Sequence, residues 1–454
     1  MKVKDARSGI EVWNKLNQTE QVQSFILRPS KVRMFHKFWQ TQHVPRHGLY
    51  FLGEGEFEEE HSSVEIFLHS AFYDDREALH QPLLRILVIA ENRLRDIRCL
   101  VWFEGNHFAV ATKAEKHDIS TGFTPGRLHY TNYVISCPVT NAVTSSHHSK
   151  RPSHVSVVTK QDYEPRNMLA VEYPKKLEEG DRLEFGHCMS VIYWRHNASR
   201  IVEWLELHRM WGVAEFNIYA NHLHPSTLKV FEYYSNELNM VNIHRLTNVL
   251  DSSDEWAILM TMSIALNHCY FRNMFRYKHV VCSDTDEMIV PMMHQNYSAM
   301  IQQINSQQLV SHTHPSYLFR NVYFFTDFGP TSPAAASRVS QLHTQNYFKH
   351  IEISEFGYSA KSITSTSVCT GLQNHLCWKR IARLDRPGWL VNVDVRFGLN
   401  FHYKSCHFDR FLGVQGECAR LMRDAHTSLS MRRFAKRLLP RVQRVLARIN
   451  KHHG

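Results

Sequence analysis

The chain has 454 residues, 43% of them apolar and 21% charged, with a formal net charge of +10 at neutral pH. That balance is ordinary for a folded protein, and the length accommodates one large domain with a smaller one, which excludes disorder over most of the chain. No apolar run approaches the ~20 residues of a membrane-spanning helix; the best, Leu83 to Ala90, contains Arg85.

Residues 1–60 are polar and weakly patterned, ending in the acidic run Glu54 to Glu60, and read as a stem or linker with one helix near Val32 to Trp39. The segment after Met1 lacks the apolar centre of a signal peptide. Residues 64–158 are β-rich: Val64–Leu68, Leu84–Ile89, Cys99–Phe103 and Tyr130–Ile135 are short β-branched or aromatic runs between turn-like segments. They predict a small N-terminal β region.

From Phe185 the pattern alternates. Met189–Trp194, Glu215–Tyr219, Val241–Leu246 and His279–Cys282 read as strands, separated by helices over Ser199–Trp211, from Pro225, and from about Asp254 to Phe275. Strands linked by helices predict an α/β fold with a mostly parallel sheet over residues 185–412, covered on both faces. Residues 413–454 form a basic tail in which Leu438, Val442, Val445, Leu446 and Ile449 recur at helical spacing. Much of the net charge lies there, and the simplest reading is a helix packed on the body. No zinc-finger, RRM or KH signature accompanies the charge, so nucleic acid is not an expected partner.

The nine cysteines include no CxxC pair, and an odd count leaves at least one thiol without an intramolecular partner. Three N-glycosylation sequons occur, at Asn17, Asn197 and Asn296. The pairs His222/His224 and His312/His314 lack a third ligand at zinc spacing.

The chemistry concentrates at Ser283-Asp284-Thr285-Asp286-Glu287, directly after the fourth strand. Ligands of open α/β sheets bind beyond the carboxyl ends of the strands. Two carboxylates two residues apart leave an extended chain on one face. Such hard oxygen donors suit Mg²⁺ or Mn²⁺ bridging to a substrate diphosphate, with Glu287 orienting a ligand. D-x-D alone arises often by chance; its place after a buried strand gives it weight.

Ile201–Val213 with Phe216–Tyr219, and His279–Pro291 around the acidic cluster, resemble glycosyltransferase family 92. Ser70–Arg76, Cys137-Pro138, Lys361-Ser362-Ile363 and Phe401-His402-Tyr403-Lys404 resemble further elements of that family, so the likeness covers roughly residues 64–410. It implies a GT-A-like nucleotide-sugar-binding domain, a UDP-sugar donor (UDP-galactose), a divalent cation, usually Mn²⁺, and an inverting transfer to a glycan acceptor. It also implies a Golgi location and membrane association, for which this sequence carries no signal or anchor.

The resemblance further implies that Asp286 and Asp284 hold the metal, with Asp284 and Glu287 on the donor side, His402 completing the metal shell, and Lys361 and Lys404 facing the diphosphate. Lys404 stands where the family tends to have Arg, which keeps charge and loses bidentate geometry. Inversion needs a base for the acceptor hydroxyl; Asp327 is the first candidate, with Glu355 and Asp394 as alternatives. The aromatic stretch Tyr317–Phe328 could offer a sugar-stacking surface, although buried strand core is the commoner use of such residues. Two other functions are compatible with the residues: a non-catalytic carbohydrate-binding relative, and another metal-dependent enzyme acting on nucleotides.

Overall fold

The structure is a computed structural model that describes residues 64–105, 109–120, 130–139, 151–159, 165, 167–245, 261–307, 316–328, 341–347, 349–381, 390–406 and 419–451, and the backbone of 24–25, 35–36, 50–51, 255–260 and 417–418. Most of the stem, the Asp254 cap and His312/His314 lie outside these residues. Within the stretch expected to be helical, Phe35–His36 pairs with Tyr50–Phe51 as a two-residue strand instead. The fold is mixed α/β and rich in sheet, and the chain divides into two compact units.

The first unit holds Met1–Gln40, Val44–Pro174 and Asn248–Met260. Its strands are β1 (Ile66–Asp74), β2 (Leu83–Glu91), β3 (Ile97–Phe103), β4 (Ala109–Lys113), β5 (Glu115–Asp118), β6 (Tyr130–Pro138), β7 (Pro152–Thr159) and β8 (Leu169–Glu172). With Ser24–Phe25 at one edge, they form one sheet in the order β4-β3-β7-β8-β1-β2-β6-β5. β2 and β6 carry unbroken buried runs, so both faces of the sheet are covered there. Inside it, Asp74 pairs with Arg76 at 2.7 Å and Arg85 at 2.9 Å, all three buried, and Arg85 donates to Ser136 Oγ at 2.7 Å. The Cys99–Cys137 disulfide joins β3 to β6.

The second unit contains β9 (Leu183–Trp194), α1 (Ala198–Met210), β10 (Val213–Leu223), α2 (Pro225–Asn236), β11 (Val241–Arg245), most of α3 (Glu255–Arg272), β12 (Tyr277–Cys282), β13 (Glu287–Pro291), α4 (Tyr297–Gln307), β14 (Ser316–Phe319), β15 (Asn321–Phe325), β16 (Lys361–Ser365), β17 (Leu390–Asn392), β18 (Gly398–Lys404) and α5 (Arg432–Lys451). Asn197 caps α1 by accepting from the Ser199 and Arg200 amides, and Pro225 opens α2 at a position where no amide hydrogen is needed. His224 Nδ1 accepts from Ser226 N at 3.1 Å, so this histidine serves as a helix cap.

The main sheet runs β11-β10-β9-β12-β16-β14-β17. β11, β10, β9 and β12 are mutually parallel because helices α1, α2 and α3 return the chain between them. β16 arrives after a long excursion with no such crossover, and it lies antiparallel to both β12 and β14. A second sheet pairs β13 antiparallel to β18, with Glu287 opposite His402, and β18 parallel to β15, with His402 opposite Tyr323.

The apolar faces of α1, α2 and α4 close over these sheets, and the buried stripe Phe434, Leu438, Val442, Val445, Ile449 of α5 joins the same core. The Cys188–Cys269 disulfide ties β9 to α3, Cys369–Cys377 closes a hairpin, and Cys282 is a buried free thiol.

Gly186 on β9 lies under the ring of Tyr277 on β12. A β-carbon there would sit 2.1 Å from Tyr277 Cε2. The ring cannot swing away easily, because its hydroxyl is held by Glu215 at 2.9 Å and Asn217 at 3.0 Å. Gly186→Ala should therefore destabilise the second unit by about 3 kcal/mol, read as a lower urea midpoint. An unchanged midpoint would show that β9 and β12 separate more freely than this packing allows.

Candidate active site

Two strand ends and a turn between them build the site. β12 stops at Cys282 and β13 starts at Glu287, leaving Ser283–Asp286 to turn the chain at the carboxyl edge of the parallel strands. The Glu287 amide donates to Asp284 O at 3.1 Å, and Glu287 Oε2 accepts from the Asp284 amide at 3.2 Å. The tight turn gives the two aspartates different surroundings, in contrast to the shared face of an extended chain.

Asp284 points at protein. Its Oδ1 accepts from Ser190 Oγ of β9 at 2.5 Å, and its Oδ2 lies 2.9 Å from Lys361 Nζ of β16. Lys361 is 1% exposed and reaches Glu287 Oε2, also at 2.9 Å, and Asn374 Oδ1 at 3.0 Å. Burial opposes the ammonium charge, but Asp284 and Glu287 outweigh it and hold the lysine above its ordinary range. Burial likewise works against the Asp284 carboxylate, and Lys361 more than offsets it, so Asp284 stays below its usual range. Glu287 is pushed up by burial, only partly countered by Lys361 and His402.

Asp286 points elsewhere. Its side chain is 39% exposed, and Oδ2 lies 3.4 Å from His402 Nε2. Its carbonyl accepts from the Tyr403 amide at 2.7 Å, which fixes the turn against β18. Burial would raise its titration range, but His402 and then Arg200 hold it low. Burial lowers His402, and Glu287 with Asp286 more than reverse this. The imidazole packs against the buried Tyr323 ring, with centroids 5.0 Å apart, and its Nδ1 comes within 3.2 Å of Glu287 Oε1 without good hydrogen-bond geometry.

The structure thus gathers Asp284, Asp286, Glu287, Lys361 and His402 from four strands or strand ends. Lys361 sits beneath the carboxylates rather than out at the edge. Lys404 Nζ lies 5.6 Å from the Tyr323 ring centre, on the strand that carries His402.

Asp327 is exposed in a short helical turn after β15, where Ser405 Oγ donates to it at 2.9 Å and the Cys406 amide at 2.6 Å. Glu355 is exposed, and Asp394 is exposed and paired with Arg396 at 2.9 Å. The aromatics Tyr317, Phe319, Tyr323, Phe324 and Phe325 are buried, so this stretch is core and not a stacking surface. Alternate strand faces are both covered there, as expected for strands inside two sheets.

Four neighbours went unnoticed in the sequence: Ser190, Asn374, His375 and Arg200. Burial lowers His375 to about 4, and its Nδ1 donates to Ala360 O at 2.7 Å. Arg200 donates to Tyr403 O at 2.7 Å. A signal for Arg200 did exist: it is a cation in the first turn of α1, where the helix dipole favours anions.

Among the described residues, no three His, Cys, Asp or Glu side chains form a ready-made metal centre. A pair does fit a shared ion. Asp286 Oδ2 and His402 Nε2, 3.4 Å apart, are spaced much like neighbouring ligands of a hard divalent cation, about 3 Å for bonds of ~2.1 Å. An imidazole–carboxylate pair with further positions left to phosphate and water suits Mn²⁺. Both Asp284 oxygens already have partners, which fits a supporting role for that residue.

Glycosyltransferase family 92 matches residues 184–438, more than half of the chain and all five clustered residues. No curated protein matches the chain.

Proposed function

The chain belongs to glycosyltransferase family 92, and from that premise we propose that its second unit is a GT-A-like domain transferring galactose from UDP-galactose, with inversion, to a hydroxyl of a glycan acceptor. The observation that carries the reading is the convergence of Asp286 and His402 at the carboxyl edge of four parallel strands. Asp286 and His402 would hold Mn²⁺, which supplies Lewis-acid stabilisation of the departing diphosphate. Lys361 keeps Asp284 charged and holds both Asp284 and Glu287 in place; Glu287 in turn lies beside His402, where outer partners of metal-binding histidines sit. Asp284, whose side chain is partly exposed, would face the donor with Glu287 buried beside it, and Lys404 would add positive charge for the diphosphate.

For the acceptor, Asp327 is the proposed base. Ser405 and Cys406 fix its Oδ2, leaving Oδ1, with its longer 3.2 Å contact, to take the hydroxyl proton. The disulfides suit an oxidising compartment such as the Golgi lumen. Among the described residues no helix is long and apolar enough to cross a membrane.

The test is UDP release from a panel of UDP-sugars with a mixed glycan acceptor. Release is expected with UDP-galactose and Mn²⁺, and to stop with EDTA. Release unaffected by EDTA would remove the metal from the proposal, and a preference for another sugar would change the donor.

A further inference from the structure

The last helix, α5, is amphipathic in an unusual way. Its apolar stripe is already occupied, being buried in the core against α1 and α2. Its other side is basic: Arg433, Lys436, Arg437, Arg444, Arg448 and Lys451 are all exposed. The 20 residues contain no acidic side chain. Like charges recur at i,i+4, as in Arg433/Arg437, Arg437/Arg441 and Arg444/Arg448, each pair working against the helix. A helix that only needed to be soluble would interleave Glu with these cations.

The body of the protein balances little of this charge. Arg441 lies 3.4 Å from Glu206 Oε2. Arg448 feels the Glu237 carboxylate and lies 3.4 Å from the Tyr233 hydroxyl, while Arg433 reaches Met292 O at 2.6 Å and Arg437 reaches Gln295 Oε1 at 3.4 Å, both neutral groups. Among the described residues two carboxylates, Glu206 and Glu237, thus face the helix, and most of its positive charge is left over. The result is a preformed basic ridge about 30 Å long.

We propose that this ridge binds a polyanionic glycan, a chain bearing sulfate or carboxylate groups. Three features select that partner. The cations are mostly arginine, whose planar fork matches sulfate and carboxylate oxygens. The apolar stripe is committed to the core, so insertion into a bilayer, which needs that stripe, is closed to the helix. The disulfides fit an oxidising compartment, where acidic glycans are the abundant linear polyanions and nucleic acids are not. The ridge is a binding surface only, and its function does not depend on the donor or metal assigned above.

The experiment compares the full chain with Lys436→Glu/Arg444→Glu/Lys451→Glu, three changes at exposed positions away from the clustered carboxylates. Binding to heparin is measured by calorimetry at about 0.15 M salt, and elution from heparin resin is compared with elution from a sulfopropyl resin of similar charge. The wild type should bind heparin, bind its desulfated counterpart, which keeps only the carboxylates, more weakly, and elute later from heparin than from sulfopropyl resin. The variant should bind at least about 100-fold more weakly and lose the difference between resins, with unchanged thermal melting and UDP release. Undiminished heparin binding by the variant would place the site elsewhere and overturn the proposal. So would equal elution of the wild type from both resins, or binding only to vesicles containing phosphatidylserine.

Discussion

Lys361→Met should cost the second unit about 3–5 kcal/mol of stability. The ammonium is 1% exposed and lies 2.9 Å from each of two carboxylates, Asp284 Oδ2 and Glu287 Oε2. Methionine fills similar volume but leaves Glu287 buried without a counter-charge and Asp284 half supported by Ser190. Glu287 is already pushed toward its protonated form, and losing the lysine moves it further. Adding Glu287→Gln to Lys361→Met should recover part of the loss, because it removes the charge that became stranded. Urea unfolding followed by circular dichroism reads both effects. A single-variant loss below about 1 kcal/mol would mean that water reaches the pair and that Lys361 is not the keystone of the cluster.

Asp286→Asn should do the opposite: little to stability and a great deal to turnover. Its side chain is partly exposed and pairs with His402, with Arg200 acting from further off, so the fold loses little. UDP release should fall by about 10³-fold, since the amide keeps the shape but gives up the anionic oxygen that pairs with a cation. Asp284→Asn makes the contrast, because it also disturbs Lys361 and should lower stability together with activity. If Asp284→Asn left stability intact while Asp286→Asn did not, the roles of the two carboxylates would be reversed.

The difference between these two residues marks the limit of what the sequence alone reveals. Strand–helix alternation from Phe185 onward is legible because the apolar runs are bounded by turn residues and helix starts are marked, as by Pro225 at the first position of α2. The acidic cluster was plain because it interrupts a buried strand. Its internal division of labour was not, since a two-residue spacing means one face in a strand and two directions in a turn. The hydrogen bond from the Glu287 amide to Asp284 O decides for the turn.

Distance along the chain hid the rest. Ser190 and Lys361 meet Asp284 only because β9 and β16 flank β12 in the main sheet, and Asn374 joins them through Lys361. An antiparallel β16 could not be anticipated from local pattern, because a five-residue buried strand reads the same in either direction. The aromatic stretch Tyr317–Phe328 allows two readings for a related reason: buried strands, the commoner use, and sugar platforms draw on the same residues, and burial decides for core.

The most direct measurement is calorimetric titration of UDP into wild type and Asp286→Asn, with and without Mn²⁺. The account predicts that Mn²⁺ tightens UDP binding to the wild type by at least about tenfold and has no such effect on the variant. Equal enhancement in both proteins would contradict the assignment of Asp286 to the cation, and with it the central claim about how this site holds its donor.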